Sequence, residues 1–243
     1  MAKKYIYKNK KPHFKIIDAP IGVGVNYAVP EIQGPPVRTW VVLFSFLLAA
    51  FFAWLVFVAQ VGNFWLMQSG ALILLVLLVL LESQPLIEKK DFNLDKIIIG
   101  LAVGAAIYFI FLFLLGNFLA SLFPAFFTEG IESFYTLGQS SPLALKLITL
   151  IIIIAPAAEI FWRGFVQRWA MTKFGRFKGL LLATAFYVAT YITTLNIALM
   201  IGAVILSLCF GALYIFRRSL GPCIVAHILW SVSILVFFPL TNF

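Results

Sequence analysis

Glu159 and Arg163 stand four residues apart in Ala155–Pro–Ala–Ala–Glu–Ile–Phe–Trp–Arg–Gly164, directly after the apolar run 147–154. An acid four residues before a base lies on the same helical face, in the better orientation for an ion pair. Such a carboxylate can act as a general base. The structural alternative is a charge pair that only holds helices together. His227 sits in Cys223–Ile–Val–Ala–His–Ile–Leu–Trp–Ser231, with Ser231 one turn further along the same face. An imidazole there is either a proton carrier or a hydrogen-bonded packing group. Of the nine Asp and Glu residues, only Glu159 falls inside an apolar run. A carboxylate at the centre of a membrane helix costs about 2.5–3.5 kcal/mol on insertion scales, which marks it as a functional-site candidate.

The elements that must position these residues follow from composition. The chain has 243 residues, 63% hydrophobic and 11% charged, with 26 phenylalanines, and a mean hydropathy of +1.05. A soluble domain carries about 25% charged residues, so a water-soluble enzyme and a disordered chain are both excluded. The class is all-α: a polytopic membrane helix bundle. Eighteen Lys and Arg against nine Asp and Glu give a net charge of +9. In this class the surplus reads as a topology signal and not as a nucleic-acid footprint. Cys209 and Cys223 lie in apolar stretches without CxxC spacing and indicate no disulfide framework.

Residues 1–38 form a basic, Pro-containing tail without an apolar run, unlike a signal peptide. It reads as cytosolic, either simply solvated or resting on anionic lipid headgroups. A membrane helix needs about 20 apolar residues. Candidate spans lie near 39–59, 65–81, 97–123, 143–169, 179–193, 196–216 and 222–240. The fifth is short, so the expected count is seven within a range of six to eight. Residues 39–94 then form an N-terminal hairpin with its inner loop, and 95–243 a second transmembrane core. With the tail inside, seventeen of the eighteen cations fall on one side, Lys146 being the exception. By the positive-inside rule the N-terminus is cytosolic. The loop 124–142 is expected to lie along the interface. Gly100 and Gly104 give the small-xxx-small spacing that lets helices approach closely.

At 1.5 Å per residue, Glu159 lies about 21 Å from the level of Lys173, Tyr191 about 20 Å from Lys178 and His227 about 14 Å from Arg218. All three are therefore expected to share a cytosol-facing intramembrane cavity. The segment around Glu159 resembles the first motif, EExxxR followed by Gly, of the CPBP family, which comprises type II CAAX prenyl proteases and Abi bacteriocin-processing proteases. His227–xxx–Ser231 resembles the family's final HxxxN/D motif, and Tyr187–xxx–Tyr191 occupies the place of its F/YxxxH motif. The order matches over about residues 95–240. The resemblance implies a glutamate-dependent intramembrane endopeptidase. In such an enzyme the first Glu and the second-motif His activate water, and the final His and Asn stabilise the oxyanion. The wording of the first motif is closer to bacterial than to eukaryotic members, which implies a bacterial plasma membrane.

Three motif positions depart from that pattern. Ala158 stands where the family has its first Glu, Tyr191 (or Thr190) where it has His, and Ser231 where it has Asn. Alanine cannot move a proton, and Glu159 would have to turn about 100° around its helix to replace it. Glu159, His227 and the orienting Arg163 are the remaining catalytic candidates. The favoured reading is a degenerate member acting as a membrane scaffold or regulator that binds a protein or peptide partner. The alternatives are an active endopeptidase and a transporter. No cofactor is expected. No metal is expected either, since one His, one Glu and two unspaced thiols do not supply the three ligands of a catalytic zinc.

Overall fold

The computed structural model describes residues 37–82, 87 and 89–240, and the regular structure among them is helical. Six helices are long and apolar enough to cross a membrane: α1 (Thr39–Val58), α2 (Phe64–Glu82), α3 (Leu94–Leu122), α5 (Leu143–Phe174), α7 (Ile197–Arg217) and α8 (Leu220–Phe237). Two shorter helices complete the set, α4 (Pro124–Thr136) and α6 (Arg176–Ala189). Except for Val37 and Arg38, the basic tail 1–38 and its expected headgroup contacts lie outside the described residues.

The expected seventh span, 179–193, is α6. Its 14 residues reach about 21 Å, short of the ~30 Å hydrocarbon core. A 3-10 turn, Ile192–Thr194, extends it to the last turn of α1, where Tyr191 meets Phe57 edge-on at 5.4 Å. The pair α6 and turn thus runs alongside the longer helices without being one of them. Polar Thr190, Thr193 and Thr194 stop the apolar helix there, and the Thr190 hydroxyl returns to the Tyr187 carbonyl.

α8 lies at the centre, packed most extensively on α3 and also on α5 and α7. The Gly100–Gly104 spacing makes the α3 contact possible. A Cβ at Gly100 would come within 2.7 Å of Val225 Cβ, and one at Gly104 within 2.7 Å of the Ala226 carbonyl oxygen. Helix association in lipid depends on such close backbone approach, because burial against another helix gains little over burial in lipid tails. At the start of α8, Gly221 is pressed onto the 3-10 turn Lys89–Phe92: a Cβ there would sit 1.8 Å from the Asp91 carbonyl oxygen.

The cation-bearing helix ends gather at one end of the bundle. Lys173 bonds the Thr39 hydroxyl, Arg217 pairs with Asp95 at 2.8 Å, and Asp91 receives Lys96 at 3.2 Å and the Ser219 hydroxyl at 2.7 Å. Arg38 closes the α1–α2 hairpin on Glu82. At the opposite end α4 packs against the start of α7. Phe127 is buried under it while Glu129 and Glu132 face outward, the amphipathic pattern expected of an interfacial helix.

The glycine contacts set an expected outcome. Gly104→Val should destabilise the chain by roughly 2 kcal/mol or more, as overpacking of a close-packed contact does. Gly70→Val, where nothing lies within 4 Å of the added Cβ, should be near neutral. Unfolding in mixed micelles compares the two.

Candidate functional site

Pro156 has no N–H and would clash with the carbonyl four residues earlier in a regular α-helix. In α5 the run ahead of it, Thr149–Ile154, is π-helical, and a second π-helical run, Trp162–Gln167, follows one short α segment later. Widened turns of this kind recur at functional positions. Glu159 and Arg163 stand in and just after the α segment between them, Ala155–Phe161.

Glu159 is 0% exposed, Arg163 2% and His227 7%. The Glu159 carboxylate meets His227 Nδ1 through Oε1 at 2.7 Å. Its Oε2 lies 3.3 Å from Arg163 Nε. Neither of those last two atoms has an aligned hydrogen-bond partner, so this contact is electrostatic. The Arg163 guanidinium instead donates to the carbonyls of Leu206 at 3.2 Å and Ser207 at 3.4 Å on α7. It also sits 5.4 Å from the Phe210 ring centroid and 5.7 Å from that of Tyr187. Phe210 in turn stacks on His227 at 5.0 Å. A carboxylate only accepts, so Nδ1 donates to it, and a neutral imidazole is then left with a bare Nε2.

Beside this group lies a cavity of about 1080 Å³, its mouth included. Ala158, Tyr187, Tyr191, His227 and Trp230 are on its wall; Glu159 is not. The cavity expected to hold Glu159, Tyr191 and His227 together thus holds two of the three. Consecutive helical residues point about 100° apart, so with Ala158 turned to the cavity Glu159 is turned into the bundle. Ser231 is buried, and its hydroxyl donates to the Ile228 carbonyl of its own helix at 3.2 Å. Trp230, its neighbour, takes the place on the wall.

Part of the remaining wall comes from one end of the bundle. It includes Phe57 at the end of α1, Phe64 and Trp65 at the start of α2, Ile131 and Tyr135 of α4, and Leu199 at the start of α7. This is the end opposite the cation-bearing turns. α4 and the α7 start are held together at this end by side-chain hydrogen bonds. Asn196 caps α7 by accepting from the Leu199 N–H at 2.9 Å and donates to the Gly130 carbonyl at 2.8 Å. Tyr135 donates to the Ile234 carbonyl at 2.7 Å and accepts from the Leu240 N–H at 3.2 Å. Burial pushes the Tyr135 hydroxyl up to about 12, so it remains a donor at physiological pH.

Residues 140–233 match the family described as type II CAAX prenyl endopeptidase Rce1-like. The match supports assignment to the CPBP/CAAX protease family. It spans the first-motif segment, Tyr191, His227 and Ser231. No curated protein and no solved structure matches the chain. Over that segment the chain is similar to the CAAX proteases, and six helices of the described residues are long and apolar enough to cross a membrane.

Sequence reasoning found the ion pair from its i, i+4 spacing and found His227 from its position in a span. It missed Trp230 and Phe210. Trp230 lies three residues from His227 on the same side of α8, which was a usable signal. Phe210 lies on another helix, and nothing in the sequence paired it with His227. Among the described residues no three His, Cys, Asp or Glu side chains gather as metal ligands would.

Removing one member of a buried pair strands the other charge, at a cost of about 3–5 kcal/mol. Arg163→Met alone should lose that much stability, and Glu159→Leu/Arg163→Met together should recover at least half of it. Denaturant unfolding in mixed micelles measures both.

Proposed function

We propose that this protein is a catalytically impaired member of its family that binds an apolar partner or ligand in the cavity and acts as a membrane scaffold or regulator. One observation carries the reading: the motif position that faces the cavity is Ala158, and the carboxylate that remains, Glu159, is sealed behind it with no exposure. Water activation needs a base within about 3 Å of the water. A carboxylate occupied by His227 and Arg163 on the far side of the wall does not reach one. Tyr191, at the other base position, packs on Tyr187 and Phe57 and is a phenol, a poor base at neutral pH. The cation asymmetry supports a cytosolic N-terminus, and the motif wording supports a bacterial plasma membrane.

A second reading has one observation in its favour. His227 lines the cavity while Glu159 holds its Nδ1, the relation by which a carboxylate orients a basic imidazole in hydrolases. Under that reading His227 activates water by itself, and the chain is an endopeptidase.

The two readings separate in one assay. Purified full-length chain in detergent is incubated with a farnesylated CAAX-type peptide and with apolar membrane peptides. The expected result is no cleavage above background, with measurable turnover appearing in Ala158→Glu/Tyr191→His. Cleavage by the parent that falls at least 100-fold in a folded Glu159→Gln variant would overturn the proposal and establish the endopeptidase.

A further inference from the structure

α4 is held less firmly than the helices around it. Of its 13 residues only Phe127 is buried, whereas the 13 residues Leu220–Val232 of α8 include nine buried ones. The inner side of α4 borders the cavity instead of a packed neighbour: Gly130, Ile131, Phe134 and Tyr135 form part of the wall. An element with few buried apolar contacts lies at the low-stability end of a structure and opens before its neighbours.

Both ends of α4 are corners of the backbone. Phe123, with φ −136° and ψ 63°, breaks the helix ahead of Pro124. Gly138 turns the chain at the other end with a φ of +69°, and a Cβ there would sit 2.5 Å from Trp65 Nε1. That second corner is fastened to the start of α2. Trp65 Nε1 donates to the Gly138 carbonyl at 3.0 Å, and Asn63 Nδ2 donates to the Ser141 hydroxyl at 2.9 Å. Between the corners two side chains make the ties. Asn196 Nδ2 donates to the Gly130 carbonyl at 2.8 Å and to the Ser133 hydroxyl at 3.3 Å. Tyr135 joins the Ile234 carbonyl and the Leu240 N–H through its hydroxyl. Phe134 adds ring contacts with Phe57 and Phe64, at 6.3 and 6.5 Å between centroids. Hinges are a few residues at element ends whose backbone absorbs a swing. We propose that α4 is a gate: it turns on Phe123 and Gly138, releases Asn196 and Tyr135, and so sets the width of the entrance to the cavity. The inference rests on the reading of this cavity as a binding site and names what regulates access to it.

The test is the reactivity of a thiol placed on the cavity wall. The full-length chain carrying Ala158→Cys is labelled in detergent with pyrene maleimide, and modification at position 158 is followed by peptide mass spectrometry. Gly130→Cys/Ala198→Cys, added to that chain, supplies a lock. A Cβ at Gly130 would lie 3.2 Å from Ala198 Cβ, close to the ~3.5–4.5 Å that a disulfide spans. With the bridge closed, labelling at position 158 should fall about ten-fold or more, and reduction should restore it. Asn196→Ala and Tyr135→Phe, each in the unbridged Ala158→Cys chain, should speed labelling about five-fold, the value of one hydrogen bond. A bridged chain that labels within about two-fold of its reduced form overturns the proposal, and so does failure of the bridge to form. Should an untied variant fail to fold, the bridged chain decides. The assay involves neither ligand nor turnover: peptide cleavage by the parent removes the non-hydrolytic reading and leaves these rates as they are. Equal rates in the bridged and reduced chains remove the gate with no cleavage observed.

Discussion

A fully buried carboxylate governs the arrangement of this bundle. Glu159 lies on α5 with no exposed surface, in a chain that must fold where water cannot solvate it. Its charge is tolerable only when opposite charge and donors are held against it. Arg163 supplies the charge from the same helix and His227 the donor from α8. Arg163 then needs acceptors of its own and takes them from the α7 backbone at Leu206 and Ser207. One acidic side chain thus fixes the relative rotation and height of three helices. α3 joins them because its two glycines allow it to reach α8.

The same constraint divides the motif into two faces. With Glu159 directed into the bundle, Ala158 must present to the cavity, since adjacent helical residues differ by about 100°. A carboxylate at position 158 would stand on the cavity wall with the charge of Glu159 behind it, and two neighbouring carboxylates shift each other's protonation. In this chain that coupling is absent. The remaining acid is balanced by Arg163 and held by the imidazole of His227. The group is arranged for charge balance, and the cavity beside it is arranged for apolar contact.

Much of this was legible in the sequence. Hydropathy placed six of the spans, because a bilayer demands long apolar runs and little else satisfies it. The i, i+4 spacing exposed the Glu159–Arg163 pair, and the isolation of His227 in an apolar helix marked it out. The short fifth segment read as a seventh span because its composition is apolar; its length, cut by threonines, left it a 14-residue helix with a 3-10 turn. The position of the cavity beside α4 was not legible. It depends on where α4 rests and on the Asn196 and Tyr135 hydrogen bonds that hold it, which join residues 66 and 99 positions apart.

The places where the chain departs from the motifs of the family it resembles follow the electrostatics. Glu159, Arg163 and His227 are mutually dependent, and loss of any one leaves a buried charge or donor without its counterpart. Ala158 and Tyr191 face a cavity without charged walls, and Ser231 is satisfied by its own helix, so these positions strand no charge when they differ. A membrane hydrolase that lost turnover would therefore be expected to keep its buried ion pair as structure and to change first where side chains face the reacting space. The retained Glu-x-x-x-Arg is, on this argument, poor evidence of catalysis. The diagnostic position is the one before it, and here it is an alanine on the wall of an apolar chamber.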